Sequence, residues 1–130
     1  MQDQHETLEL PGQVESVPAG RHFLQYTLAQ WGLAGLSDDV ALAASELIAN
    51  AVLHARSSFR LELVCNEQLV VSVRDNTPGA LPPAPSADVL LAGSDAEGGR
   101  GLALVAALSS AWGVRQTPPG KTVWFSMPLP

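Results

Sequence analysis

Ser45-Glu46-Leu47-Ile48-Ala49-Asn50-Ala51-Val52-Leu53-His54-Ala55 carries polar side chains at four-residue intervals through an otherwise apolar run. Four residues advance a helix by slightly more than one turn, so Glu46, Asn50 and His54 form one slowly drifting row. Val40, Ala44, Leu47, Ala51 and Ala55 form the apolar stripe beside it. A carboxylate and an amide would thus line one wall of a cleft. Burying either without a partner costs about 1–3 kcal/mol, so both are expected to face a ligand, an ion, water or hydrogen-bond partners. The bland alternative, a wet edge of an amphipathic helix, is not separated from this one by the stretch alone.

Working outward, 130 residues suit one domain with a core that needs no disulfide or metal staple. Hydrophobic residues make up 46% and charged residues 15%, which argues against disorder. A formal charge of −6 argues against direct binding to nucleic acid or anionic lipid, which relies on Lys and Arg to neutralise phosphates. The single cysteine, Cys65, sits in the apolar alternation of a predicted strand and reads as a buried, inert thiol in a reducing compartment. Met1 to Glu6 lack the basic and apolar segments of a signal peptide, and no apolar run approaches the roughly 18 residues of a membrane span. The expectation is a soluble cytoplasmic protein with residues 1–6 as a flexible tail.

Thr7 to Val17 alternate around Pro11-Gly12 as an edge strand broken by a turn. Pro18 suits the first turn of a helix carrying Phe23, Leu24, Leu28 and Trp31 and ending near Gly32. Ser37 is expected to cap a second helix, Asp38 to Arg56, whose first-turn aspartates favour the helix dipole. Phe59 to Cys65 and Leu69 to Arg74 read as a hairpin joined by Asn66-Glu67-Gln68. From 76 to 99 the pattern dissolves into prolines, small residues and acids, the composition of a functional loop or lid, with a short helical piece at Ala87 to Leu91. A third helix spans Gly99 to Ser110, and strands Trp112 to Gln116 and Thr122 to Met127 flank the turn Thr117-Pro118-Pro119-Gly120. This order of elements predicts an α+β two-layer sandwich.

Two further stretches, Val71-Ser72-Val73-Arg74-Asp75-Asn76-Thr77-Pro78-Gly79 and Gly98-Gly99-Arg100-Gly101-Leu102-Ala103-Leu104-Val105, follow the first in order. Together the three resemble the GHKL (Bergerat-fold) ATPase superfamily, and within it the small bacterial anti-sigma-factor serine kinases with a histidine-kinase-like ATPase domain. The resemblance runs from about Ser16 to Leu129. It implies one ATPase domain over 1–130, a mixed, mainly antiparallel sheet covered on one face by helices, and 76–99 as the ATP lid.

The resemblance also implies ATP and Mg2+ as cofactors and assigns roles. Asn50 would be the metal ligand and Glu46 the general base, and the chemistry is sound because magnesium prefers oxygen and needs few protein groups beyond the phosphates. Asp75 would accept a hydrogen bond from the adenine amine, against its alternative as a turn-initiating residue. Of the two glycines the family often carries after that aspartate only Gly79 is kept, Thr77 standing at the other. Gly99, Arg100, Gly101 and Leu102 would meet phosphate at a helix N-terminus, where free N–H groups and positive potential gather. The alternatives are an ordinary turn and a solvated arginine. Thr122 resembles the threonine near the adenine, against a plain strand threonine. His54 reads equally as a structural histidine or a neighbour of the nucleotide.

The function so implied is an ATP-dependent serine/threonine protein kinase that phosphorylates a small antagonist protein and sequesters a sigma factor, with room for a homodimer. A second reading is a weakly catalytic or non-catalytic nucleotide-binding interaction module of the same fold, which Thr77 favours. A third is a small α+β protein that binds no nucleotide. Nucleotide binding separates the third from the others, and phosphoryl transfer separates the first from the second.

Overall fold

The computed structural model describes residues 3–55, 58–76 and 99–130, and the side chains of all of these except 54, 55 and 99–102. Strand β1 (Gln4–Leu10) leads into helix α1 (Ser16–Gln30), a 3-10 turn (Ala34–Leu36) and helix α2 (Ser37–Ala55). Strands β2 (Phe59–Cys65) and β3 (Gln68–Asp75) follow, then helix α3 (Gly99–Leu108) and strands β4 (Ala111–Thr117) and β5 (Gly120–Pro128). The predicted helical piece at 87–91 lies outside the described residues.

The sheet has the order β1-β2-β3-β5-β4. All four pairings among the described residues are antiparallel, in keeping with the expected mixed, mainly antiparallel sheet covered on one face by helices. The reason is the β4–β5 hairpin, which returns β5 beside β3 and leaves β4 at the edge. The expected tail is corrected: Gln4 to Glu6 form the start of β1, pairing Gln4 with Cys65 and Glu6 with Leu63. Their polarity misled because an edge strand needs an apolar side chain only where it meets the core, and here Leu8 and Leu10 supply it opposite Leu61 and Phe59.

Side chains alternate between the two faces of the sheet. One face presents Phe59, Leu61, Leu63 and Cys65 from β2, Leu69, Val71 and Val73 from β3, and Phe125 and Met127 from β5, all buried. The helices cover this face with Leu24 and Leu28 of α1, Val40, Ala44, Leu47, Ile48 and Ala51 of α2, and Val105 of α3. Removing a large buried side chain of this set costs about 2–5 kcal/mol, which is why the apolar spacing fixes the layers.

Local chemistry sets the joints. The Ser16 hydroxyl and the Gln13 N–H both donate to the Pro11 carbonyl, closing the turn between β1 and α1. Ser37 does not cap α2 as its type suggests: its hydroxyl donates to the Ala34 carbonyl at 2.8 Å, and α2 continues directly from the 3-10 turn. The hairpin between β2 and β3 needs only Asn66 and Glu67, with Asn66 Oδ1 accepting from the Glu67 N–H at 2.6 Å. Gln68, expected in the turn, is the first residue of β3.

Candidate functional site

Helix α2 is the spine of the site. Ala41, Ala43, Ala44, Leu47, Ile48 and Ala51 are buried, while Leu42, Ala49 and Leu53 lie on the exposed side. Glu46 and Asn50 are half-buried at the border between these faces. Among the described residues neither makes a side-chain hydrogen bond. Ser45 is committed elsewhere, donating to the Ala41 carbonyl at 2.6 Å and accepting from Arg21 Nε at 3.3 Å, which ties α2 to α1. His54 belongs to α2, and its side chain lies outside those described.

Helix α2 packs against α1, β3 and α3. Three of the sequence-predicted stretches therefore sit on elements in mutual contact through one helix. Asp75 closes β3 with its side chain only 4% exposed. Its Oδ2 lies 2.9 Å from Lys121 Nζ, and Lys121 is its direct cross-strand partner on β5. Phe59 lies opposite Asp75 on the other side, in β2. A carboxylate this far from water needs the counter-charge, since an unpaired buried charge is costly.

Gly120 explains how β5 comes so close. A Cβ there would collide with the Asp75 carbonyl oxygen and sit 2.8 Å from Asn76 Cα. Only a residue without a side chain lets the start of β5 press against the end of β3.

Thr122 is not brought beside Asp75. Register pairs it with Arg74, on the face away from the helices, and its hydroxyl lies 3.0 Å from that of Thr117. The pleat has period two, so moving one residue along β5 exchanges faces, and Lys121 is the residue that shares Asp75's side. The signal was present in the sequence: Val123, Phe125 and Met127 alternate as the core face, and extending that alternation back by two residues arrives at Lys121.

Gly99, Arg100, Gly101 and Leu102 form the first turn of α3, so the predicted helix N-terminus is where it was expected. The helix is anchored by Val105, which is fully buried. Gly79, Thr77 and most of the expected lid, 77–98, lie outside the described residues, while Asn76 is exposed. Among the described residues no cluster of three His, Cys, Asp or Glu could hold a metal by protein groups alone. A lone half-buried amide oxygen at Asn50 fits magnesium held mainly by phosphates and water, and fits no all-protein cage.

Compared with known families, residues 10–127 match the model of the histidine kinase-like ATPase domain. The chain belongs to the histidine kinase-like ATPase domain family. A comparison with curated proteins finds no match. Among solved structures, the RsbU and RsbW domains of Rv1364c from Mycobacterium tuberculosis superpose with a TM-score of 0.68 at 20% identity, over 97% of this chain and 32% of that one. At that identity the likeness is one of fold, and the chain spans about a third of the longer protein. The histidine kinase-like ATPase assignment agrees with the layout found here, an antiparallel sheet with its helices on one side. No helix among the described residues is long and apolar enough to cross a membrane.

Proposed function

We propose that the protein is a cytoplasmic ATP-binding regulator of the anti-sigma-factor type, which transfers phosphate from ATP to a serine or threonine of a small antagonist protein and holds a sigma factor inactive. The observation that carries this reading is the half-buried Glu46–Asn50 pair on α2, a helix packed at once on β3, which ends in Asp75, and on α3, which opens with Gly99-Arg100-Gly101. The likeness in fold to a chain containing an RsbW domain points the same way.

In this reading Asn50 is the residue that would hold magnesium, which would supply charge neutralisation. Asp75 accepts the amine of the adenine. The N–H groups of the first α3 turn, and Arg100 as the family resemblance implies, would meet phosphate, since helix dipole and guanidinium both favour negative charge. Glu46 takes the proton of the attacking hydroxyl as the oxygen–phosphorus bond forms and the bond to the ADP leaving group breaks. Most of the rate enhancement comes from position and charge, and the base adds roughly 100- to 10,000-fold.

The test has two parts. A fluorescent ATP analogue should bind in a magnesium-dependent manner, and absence of binding removes the whole reading. Glu46→Gln should then keep that binding but lose radiolabel transfer to an antagonist protein by the factor above. A second reading, a binding module without efficient transfer, is favoured by Thr77 where the family often has glycine. It predicts that wild type and Glu46→Gln are equally silent in transfer and equally able to capture the partner.

A further inference from the structure

We infer that the sheet face turned away from the helices is a docking surface for an acidic segment of a partner protein, held by Arg74 and Arg115 on either side of Thr122 with Trp124 beside them. This face is the reverse of the one that carries Asp75, so the inference stands apart from the nucleotide-binding reading.

Strand register assembles the surface. One row across the sheet runs through Arg60 of β2, Arg74 of β3, Thr122 of β5 and Arg115 of β4, each the direct partner of the next. Residues in direct register share a face, and the next residues in sequence, Leu61, Val73 and Val123, point to the helices. The row holds three of the seven lysines and arginines of a chain whose net charge is −6. Like charges directly opposite one another weaken strand pairing, so the sheet gains nothing from matching Arg60 with Arg74.

The carboxylates of this face are engaged on its β1 side. Glu9 lies 3.5 Å from Arg60, while Glu62 is held by His5 at 2.6 Å and by the Ser72 hydroxyl at 3.4 Å. Among the described residues Arg74 and Arg115 have no ion pair, and both are exposed. Two strand spacings put their stems roughly 10 Å apart. Trp124 stands one row along, between Ser72 and Gly113, and its half-buried indole is seated where a Cβ on Gly113 would come within 3.1 Å of it.

Arginine and tryptophan are the residue types that dominate interface energies, and a guanidinium meets a carboxylate with two parallel hydrogen bonds. Charge thus decides the sign of the occupant, and extent decides its class. Nucleic acid and an anionic bilayer spread negative charge widely and would also meet the chain's excess of acids, whereas a short acidic segment meets only the patch.

The probe is a fluorescein-labelled peptide of glutamates around a central leucine, followed by anisotropy on the full chain. At about 0.15 M salt the Debye length of about 8 Å screens the distant acids but not contacts at the patch. Wild type should bind the peptide there, and should not bind the same peptide with glutamines for glutamates. Arg74→Gln combined with Arg115→Gln should weaken binding by about fivefold or more, the worth of two exposed charge pairs. Arg21→Gln, which removes an arginine of α1, should leave it within about twofold. Failure of wild type to bind, or equal binding by the double variant, would overturn the inference.

If the arginines serve only to cover Thr122 and Trp124, the double variant should show a lowered urea midpoint with peptide binding unchanged, and that result also overturns it. Should the double variant not fold, a salt titration of wild type decides: binding that persists at about 1 M salt, where the Debye length is about 3 Å, rules out the charge contacts. Other occupants have their own readouts. Tighter binding of oligothymidylate or phosphatidylserine vesicles than of the peptide would make the face a phosphate surface, and self-association in sedimentation that the double variant abolishes would assign it to a second copy. Either outcome overturns the inference.

Discussion

Gly120 shows at the residue scale how a fold tightens around one missing side chain. Its neighbours are backbone atoms of Asp75 and Asn76, which cannot swing aside as a side-chain tip can. Gly120→Ala should therefore cost about 1–3 kcal/mol, the typical penalty for overpacking, read as a lowered urea midpoint with unchanged slope. An unaltered midpoint would mean that the ends of β3 and β5 separate without loss. Other candidate residues stand out in the sequence for a common reason. Glu46, Asn50 and Asp75 are polar groups set in apolar runs, and polarity out of pattern is visible in a sequence. Lys121 does not stand out in the same way, because a lysine in a turn-like Gly-Lys-Thr looks solvated. The contact that makes Gly120 necessary joins strand ends distant in sequence, and only the fold reveals it.

Among the elements, α2 performs two tasks with its two sides. Leu47 is 2% exposed against the sheet, whereas Leu53, on the same helix, is 47% exposed. Leu47→Ala should destabilise by about 2–5 kcal/mol and Leu53→Ala by less than about 0.5 kcal/mol, compared by thermal and urea unfolding. Similar losses at both positions would mean that the helix is covered on its outer side as well. The helices and hairpins were legible because their periods, 3.6 and 2, were each sustained over several residues. Their ends were less so. Ser37 has the chemistry of a cap, yet the preceding 3-10 turn had already supplied the carbonyl that its hydroxyl serves. β1 was half missed because Gln4, His5 and Glu6 carry no apolar alternation, and their place in the sheet comes from pairing with β2. His5 is held there by Glu62, with Nε2 and Oε2 2.6 Å apart.

For the molecule as a whole, Cys65 offers a gauge of global stability. Burial pushes its thiol up in pKa, and the Asp3 carboxylate adds to the shift. A group raised in the folded state stabilises fully below its unfolded value, and that contribution fades as pH rises through the folded value, so the fold weakens on the alkaline side. The thiol should resist Ellman's reagent near pH 8 in buffer and react fast once urea unfolds the chain. Prompt reaction in buffer would place Cys65 outside the core. Fold class was the most legible level of all, since any chain with these periods in this order must stack its helices on one apolar face. Among the described residues the second face of the sheet carries no helix, and there Trp124 lies against Gly113 of β4, where a Cβ would come within 3.1 Å of the indole. The indole is thus seated across β5 and the edge strand β4, three residues along β5 from Thr122's neighbour Lys121 and on the reverse side from Asp75. Its emission is an intrinsic optical readout: with Trp31 and Trp112 changed to phenylalanine, light from Trp124 alone would report whether adding ATP perturbs the sheet, with no dye attached to the nucleotide.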